Sequence, residues 1–325
     1  MSVDPNYPPQ VIELFHGPPY IWIPSSAYPF QQAPVYLHCG IRVPESERSV
    51  QFTDSGDSIV VKKTYAYANN DYLYPVTETV ANSEGNSTVT HFKYPKDYSV
   101  GSSPANTVAQ GIKLLLDRNV VAPIIEEYTE LQPENIVKSG SFTIFKTNQP
   151  LPEQTFKLKP VTTAGAFTPA TITSSSYSKS SSYDLKTTIN LYDVFGHARQ
   201  ATDEATGIST VILYSYNGQF PIAVIKNASF TSVAAAISGG QTAIDNFALN
   251  YPTDTEVNNF LSTLRSTLTQ SFIITYTIDP LLGVTSQTDE NGRSTYYEYD
   301  AAGRLQLIRD KDGNVVKTFE YRYKQ

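Results

Sequence analysis

Five residues near the end of the chain, Asp310-Lys311-Asp312-Gly313-Asn314, have the oxygen-rich spacing that opens a calcium loop. A hard cation needs more than this run supplies, because the third ligand spacing and the glutamate at position twelve are missing. The segment is therefore read as a turn, with an aspartate that bonds backbone two residues on and a glycine free to take positive φ. Cys39 is the single cysteine and follows His38. Strand neighbours point to opposite faces, so this pair cannot act as nucleophile and base, and Cys39 is expected to be buried and structural. The four histidines, His16, His38, His91 and His197, show no metal-ligand spacing. One cysteine also excludes an intrachain disulfide framework and a thiolate zinc cage.

Glu126-Glu127 and Asp203-Glu204 are adjacent carboxylate pairs. Sugar cleavage needs two carboxylates facing one cleft, which adjacent strand residues do not do. Both pairs are expected on the surface or in turns. Gly-x-Ser-x-Gly, a phosphate loop and a dinucleotide fingerprint are all absent from the sequence. The expectation is a chain with no catalytic residues, no metal ligands and no cofactor. One binding possibility remains: Tyr7, Tyr20, Trp22 and Tyr28 could form an aromatic face that stacks on sugar rings or a partner loop. Packing of these side chains onto the rest of the molecule explains them as well.

What positions such residues follows from composition and pattern. The 325 residues are 40% apolar and only 17% charged, and 23 tyrosines and 15 phenylalanines lean the chain towards half-buried pleated surface. A net charge of −7, with no basic cluster longer than Lys62-Lys63, argues against nucleic acid and against an anionic membrane surface. No apolar run reaches the roughly 18 residues of a membrane span. The N-terminus lacks the basic and apolar regions of a signal peptide. Met1 is the only methionine, as expected of an internal fragment given a start residue or of a secreted region without its leader.

Three regions are expected. Residues 1–50 hold nine of the 21 prolines, interleaved with aromatics, and read as irregular segments and edge strands. Residues 51–170 are β-rich, with strands at 59–67 and 87–95, a turn at Ser83-Glu84-Gly85-Asn86, and a helix near 104–118 whose stripe is Val108, Ile112, Leu115 and Leu116. Residues 171–325 open on a Ser-rich stretch, 171–184, expected as an exposed hairpin or linker, and contain a helical insert at 231–270. In that insert Thr253 and Glu256 have capping-box spacing ahead of Val257, Phe260, Leu261, Leu264 and Leu268.

The remainder of that third region is periodic. Asp193 leads to Gly196 and Asp203; Asp279 leads to Gly283, Asp289 and Gly292; Asp300 leads to Gly303, Asp310, Asp312 and Gly313. Each unit runs on to a Tyr-x-Tyr, and the last two units abut with a period of 21, from 279 to 300. The unit is a β-hairpin, since Asp-x-x-Gly is turn chemistry and Asp312-Gly313 is a hairpin pair. After it, Val315, Lys317, Phe319, Tyr321 and Tyr323 share one face, which predicts a strand with one side on a core. Stacked hairpins would align tyrosines as cross-strand ladders, and the last strand, 315–323, would leave an edge able to accept another strand. The fold class is mainly β: an antiparallel hairpin ribbon with two short helical inserts.

"YEYDAAGRLQLIRDKDGNVVKTFEY" resembles the Rhs/YD-repeat family, and the spacing across 272–323 looks most like the large Rhs-like surface proteins of Bacteroidetes bacteria. The resemblance implies a YD-repeat ribbon or shell fragment, structural and non-enzymatic, in a bacterial protein that is secreted or on the cell surface. Its implied partners are other parts of a longer parent chain or a surface or secretion partner. A glycan- or protein-binding adhesin module is the alternative. Asp279-Pro280-Leu281-Leu282-Gly283 is similar to the Asp-Pro-x-Gly at which some Rhs shells cut themselves. It departs from that motif by sitting at a repeat position with Asp289 and Gly292 directly behind it.

Overall fold

The computed structural model describes residues 43–54, 56–67, 73–81 and 86–322. Most of the proline-rich segment, with Tyr7, Tyr20, Trp22, Tyr28, His16, His38 and Cys39, lies outside them, as does most of the 83–86 turn.

The strands are β1 (Ser46–Phe52), β2 (Ser58–Ala66), β3 (Thr77–Ala81), β4 (Ser87–Lys93), β5 (Glu126–Gln132), β6 (Ile136–Phe145) and β7 (Pro152–Leu158), then the short β8 (Thr171–Ile172) and β9 (Tyr177–Ser178). They continue as β10 (Tyr183–Tyr192), β11 (Ala198–Asp203), β12 (Ile208–Ser215), β13 (Phe220–Lys226), β14 (Phe272–Asp279), β15 (Gly283–Thr288), β16 (Ser294–Tyr299), β17 (Leu305–Arg309) and β18 (Val315–Thr318). All except β8 and β9 form one 16-stranded sheet in which spatial order follows chain order. Every neighbouring pair given for this sheet is antiparallel. The chain therefore folds as a continuous meander, mainly β, with helices confined to two places.

The first is α1 (Thr107–Asp117), between β4 and β5. Asn106 caps it by accepting from the Ala109 amide at 2.8 Å. Val108, Ala109, Ile112 and Leu115 then face a core that includes Ile125, Phe142, Phe145, Phe156 and Tyr183. Gly111 lies against the Phe145 carbonyl, so closely that a β-carbon there would strike it.

The second place is between β13 and β14, where α2 (Phe230–Ala236), α3 (Gly240–Ala248), α4 (Asp254–Leu261) and the one-turn α5 (Leu264–Thr267) cover the sheet. The Thr253 amide donates to Glu256 Oε2 at 2.7 Å, which starts α4 as a capping box. Val257, Leu261 and Leu264 join Val211, Leu213, Ile222, Ile225 and Ile273 in the second core. Arg199 on β11 ties α3 down through Asp245 at 2.6 Å and lies over the Phe230 ring at 4.7 Å. Between the two cores β7 pairs directly with β10, so the sheet is continuous across residues 170 and 171.

Several local expectations are corrected. The Ser-rich stretch does contain a hairpin, formed by β8 and β9, but it is not simply exposed, since Ile172, Ser180 and Tyr183 are buried. The final strand ends at Thr318, and all four residues of β18 are exposed, because neither helical layer reaches that end of the sheet. Its alternation therefore does not mark a face on a core. Among the described residues no tyrosine stands opposite another tyrosine on the neighbouring strand: Tyr297 faces Ile308, Tyr299 faces Leu305, Tyr296 faces Arg309 and Tyr276 faces Gln287. Bulges next to these positions shift the register and break up the anticipated ladders.

Candidate functional site

The residues singled out by the repeat converge on one local device, made four times. In the Asp193, Asp289, Asp300 and Asp310 turns the aspartate amide donates to the carbonyl four residues on: His197, Arg293, Arg304 and Asn314, at 2.8–3.0 Å. The glycine amide of Gly196, Gly292, Gly303 or Gly313 donates back to the aspartate carbonyl at 2.9–3.2 Å. One carboxylate oxygen, Oδ1, accepts two more amides, from Phe195 and His197, Asn291 and Arg293, Ala302 and Arg304, or Asp312 and Asn314. The glycines take φ of +86°, +77°, +76° and +83°, the left-handed conformation that a β-carbon disfavours. This is a type I turn followed by a left-handed residue, the loop that matches strand twist in a three-residue hairpin connection.

Oδ2 is occupied in three of the four. It takes His197 Nδ1 at 3.1 Å, Arg304 Nε at 2.8 Å and Asn314 Nδ2 at 3.1 Å. The Arg304 guanidinium holds the Asp300 carboxyl below its ordinary range, and the Asn314 side chain, with two backbone amides, does the same for Asp310. Most of the acceptor capacity of these carboxylates is spent inside the turn itself. Among the described residues no group of three or more His, Cys, Asp or Glu is placed to hold a metal.

Asp279 and Asp203 depart from the pattern. Pro280 lacks an amide, and Asp279 Oδ1 receives only Leu281 N, at 2.8 Å, while Gly283 sits at φ +123°. Leu281 at the tip of this hairpin is 93% exposed. Asp203 Oδ1 receives Ala205 N and Thr206 N, and its loop closes through Gly207 N to Asp203 O at 2.8 Å.

The tyrosines act through their hydroxyls, a role invisible to the repeat pattern. Tyr299 donates to Val284 O at 2.8 Å, Tyr321 to Leu305 O at 2.9 Å and Tyr192 to Pro152 O at 2.6 Å. The single Tyr216 hydroxyl proton is shared between Ile278 O at 2.6 Å and Pro252 O at 2.9 Å, joining the β12–β13 turn to β14 and to the helical insert. Each hydroxyl satisfies a backbone carbonyl near a strand end.

Glu126 overturns the expectation of a surface carboxylate. It is fully buried on β5, where both oxygens accept the Ala170 amide at 2.9 and 3.0 Å and Oε1 accepts the Tyr183 hydroxyl at 3.1 Å. Lys93 Nζ lies 3.7 Å away. Burial pushes the Glu126 carboxyl above its usual range despite these donors. Glu127 points to the other face and receives Ser141 Oγ at 3.2 Å, so the two carboxylates do not share a cleft. No sequence signal distinguishes Glu126 from its neighbour; the covering segment 159–170 is what buries it.

Residues 282–315 match the family model described as RHS Repeat. The matched stretch runs from the hairpin tip before β15 to the start of β18 and covers about a tenth of the chain. Among solved structures, "Crystal Structure of TcdB2-TccC3 without hypervariable C-terminal region" is 11% identical over 84% of this chain, with a TM-score of 0.34. The Photorhabdus luminescens Tc holotoxin pore is 13% identical over 84% of this chain, with a TM-score of 0.28, and TcdB2-TccC3 is 11% identical over 82%, with a TM-score of 0.26. The chain spans only 14–15% of the length of these proteins. No curated protein matches it. None of the matches bears on the likeness to Bacteroidetes surface proteins.

Proposed function

We propose that the chain is a non-catalytic structural module, a stretch of scaffold within a larger secreted or cell-surface bacterial protein, serving as shell wall or surface display. The observation that carries this reading is the meander of 16 strands in chain order, with four aspartate–glycine turns whose polar groups are spent within the turn itself. Open sheets of more than about 10 strands tend to coil or curl, which suits a wall that encloses something. The outer edge of β18 has no partner strand among the described residues, which supports a sheet continued by other parts of a parent chain or by a partner protein.

The test is protease shaving of intact producing cells, with mass spectrometry of the medium and of each cell fraction. Peptides cut at the exposed Leu281 and Gly207 turns should appear from the cell surface or the medium. Recovery from the cytosol alone would remove the secreted or surface role. The adhesin alternative rests on Tyr7, Tyr20, Trp22 and Tyr28 as read from the sequence, and Tyr251, 65% exposed on the helical insert, adds to it. Loss of glycan-array or pull-down binding in Trp22→Ala would favour it over scaffolding alone.

A further inference from the structure

A half-enclosed cleft of about 230 Å³ opens where the segment 159–170 crosses β4, β5 and the β5–β6 turn. Its lining includes His91, Tyr128, Glu130, Asn135, Thr163 and Phe167. His91 and Tyr128 are cross-strand partners whose rings stack at 4.6 Å and 16°, and Phe167 packs against Tyr128 at 4.8 Å with the two rings tilted by 48°. Polar groups ring this aromatic wall. The Tyr128 hydroxyl, the Asn135 amide and the Thr163 hydroxyl make no hydrogen bond to any described residue. Glu130 accepts only Gln132 Nε2, at 3.2 Å, with His91 Nε2 at 3.8 Å.

We propose that this cleft binds one neutral pyranose unit of a glycan. Several converging donors and acceptors beside an apolar wall match a ligand that carries hydroxyls on its rim and C–H groups on its faces. The volume is below the roughly 300–1,000 Å³ of drug-sized sites, which limits the occupant to about one ring. An acidic sugar meets the Glu130 carboxylate, and burial lowers the pKa of His91, so that ring offers little compensating charge near neutral pH. The site goes beyond the scaffold reading and does not depend on it.

The experiment is saturation-transfer NMR and calorimetry on the full chain with methyl glycosides of glucose, galactose, mannose and N-acetylglucosamine, and with glucuronate as the acidic control. At least one neutral glycoside should bind, and glucuronate should bind about tenfold more weakly or not at all. Glu130→Gln should weaken the neutral sugar by about tenfold, the scale of a hydrogen bond to a charged group. Asn135→Gly, which keeps the left-handed backbone at φ +55°, and Thr163→Val should each weaken it with melting unchanged. These two variants carry the test if Glu130→Gln fails to fold. Absence of transfer from every neutral glycoside, or transfer unchanged in both Asn135→Gly and Thr163→Val, overturns the proposal. Binding that survives in those variants but vanishes in Trp22→Ala assigns the sugar to the proline-rich segment instead, and also overturns it.

Discussion

The Tyr299 hydroxyl donates to the Val284 carbonyl at 2.8 Å, and one repeat later Tyr321 makes the same bond to Leu305 at 2.9 Å. Tyr299 and Tyr321 thus tie the end of one strand to the start of the strand before it. The same hydroxyl links adjacent strands and satisfies a carbonyl where the ladder has ended.

Tyr299→Phe removes that bond and leaves the ring. The expected loss is about 0.5–1.5 kcal/mol, read as a lower urea midpoint with an unchanged slope. Tyr321→Phe, at a more exposed position, should lose less.

The repeat turns should make stability fall in acid. Asp300 and Asp310 titrate below the ordinary carboxylate range in the folded chain, chiefly through the Arg304 and Asn314 side chains. A depressed folded pKa gives stability that is present above the unfolded value, near 4, and is lost as pH falls through the folded value. Thermal melts followed by circular dichroism from pH 7 to pH 2 should show this fall. A double Asp300→Asn, Asp310→Asn variant should show a shallower one.

Glu126 should act in the opposite sense. Its folded pKa is raised, so its charged form is disfavoured by folding, and its contribution declines as pH rises from the ordinary carboxylate value through the raised one. Glu126→Gln should flatten this part of the profile. Glu126→Ala strands the Ala170 amide and the Tyr183 hydroxyl, while Lys93 keeps its bond to the Ala170 carbonyl, so the expected loss is about 1–3 kcal/mol for each stranded group. Faster hydrogen exchange at the Ala170 amide would locate the damage; exchange equal to that of the parent chain would contradict it.

Gly111→Ala tests the seating of α1. Helix propensity favours alanine, yet the added carbon meets the Phe145 carbonyl, a backbone atom that cannot rotate away. Overpacking of this kind costs about 1–3 kcal/mol, so the melting temperature should fall. A rise would show that the helix can shift outward freely.

Much of the strand content, both helical inserts and the turn residues were legible in the sequence because each is a local matter. Aspartate followed by glycine at fixed spacing specifies a loop through bonds spanning five residues, as at Asp300–Arg304, whatever surrounds it. The Thr253 and Glu256 cap and the apolar stripes of α1 and α4 are equally local. The burial of Glu126, the targets of the tyrosine hydroxyls, the exposed β18 and the polar cleft beside Tyr128 were decided only by tertiary structure. Each depends on where a distant segment comes to rest: 159–170 over Glu126 and Tyr128, or helices over one stretch of sheet and not another. Nothing within a few residues of those positions encodes that placement, because the cover is supplied from elsewhere in the chain.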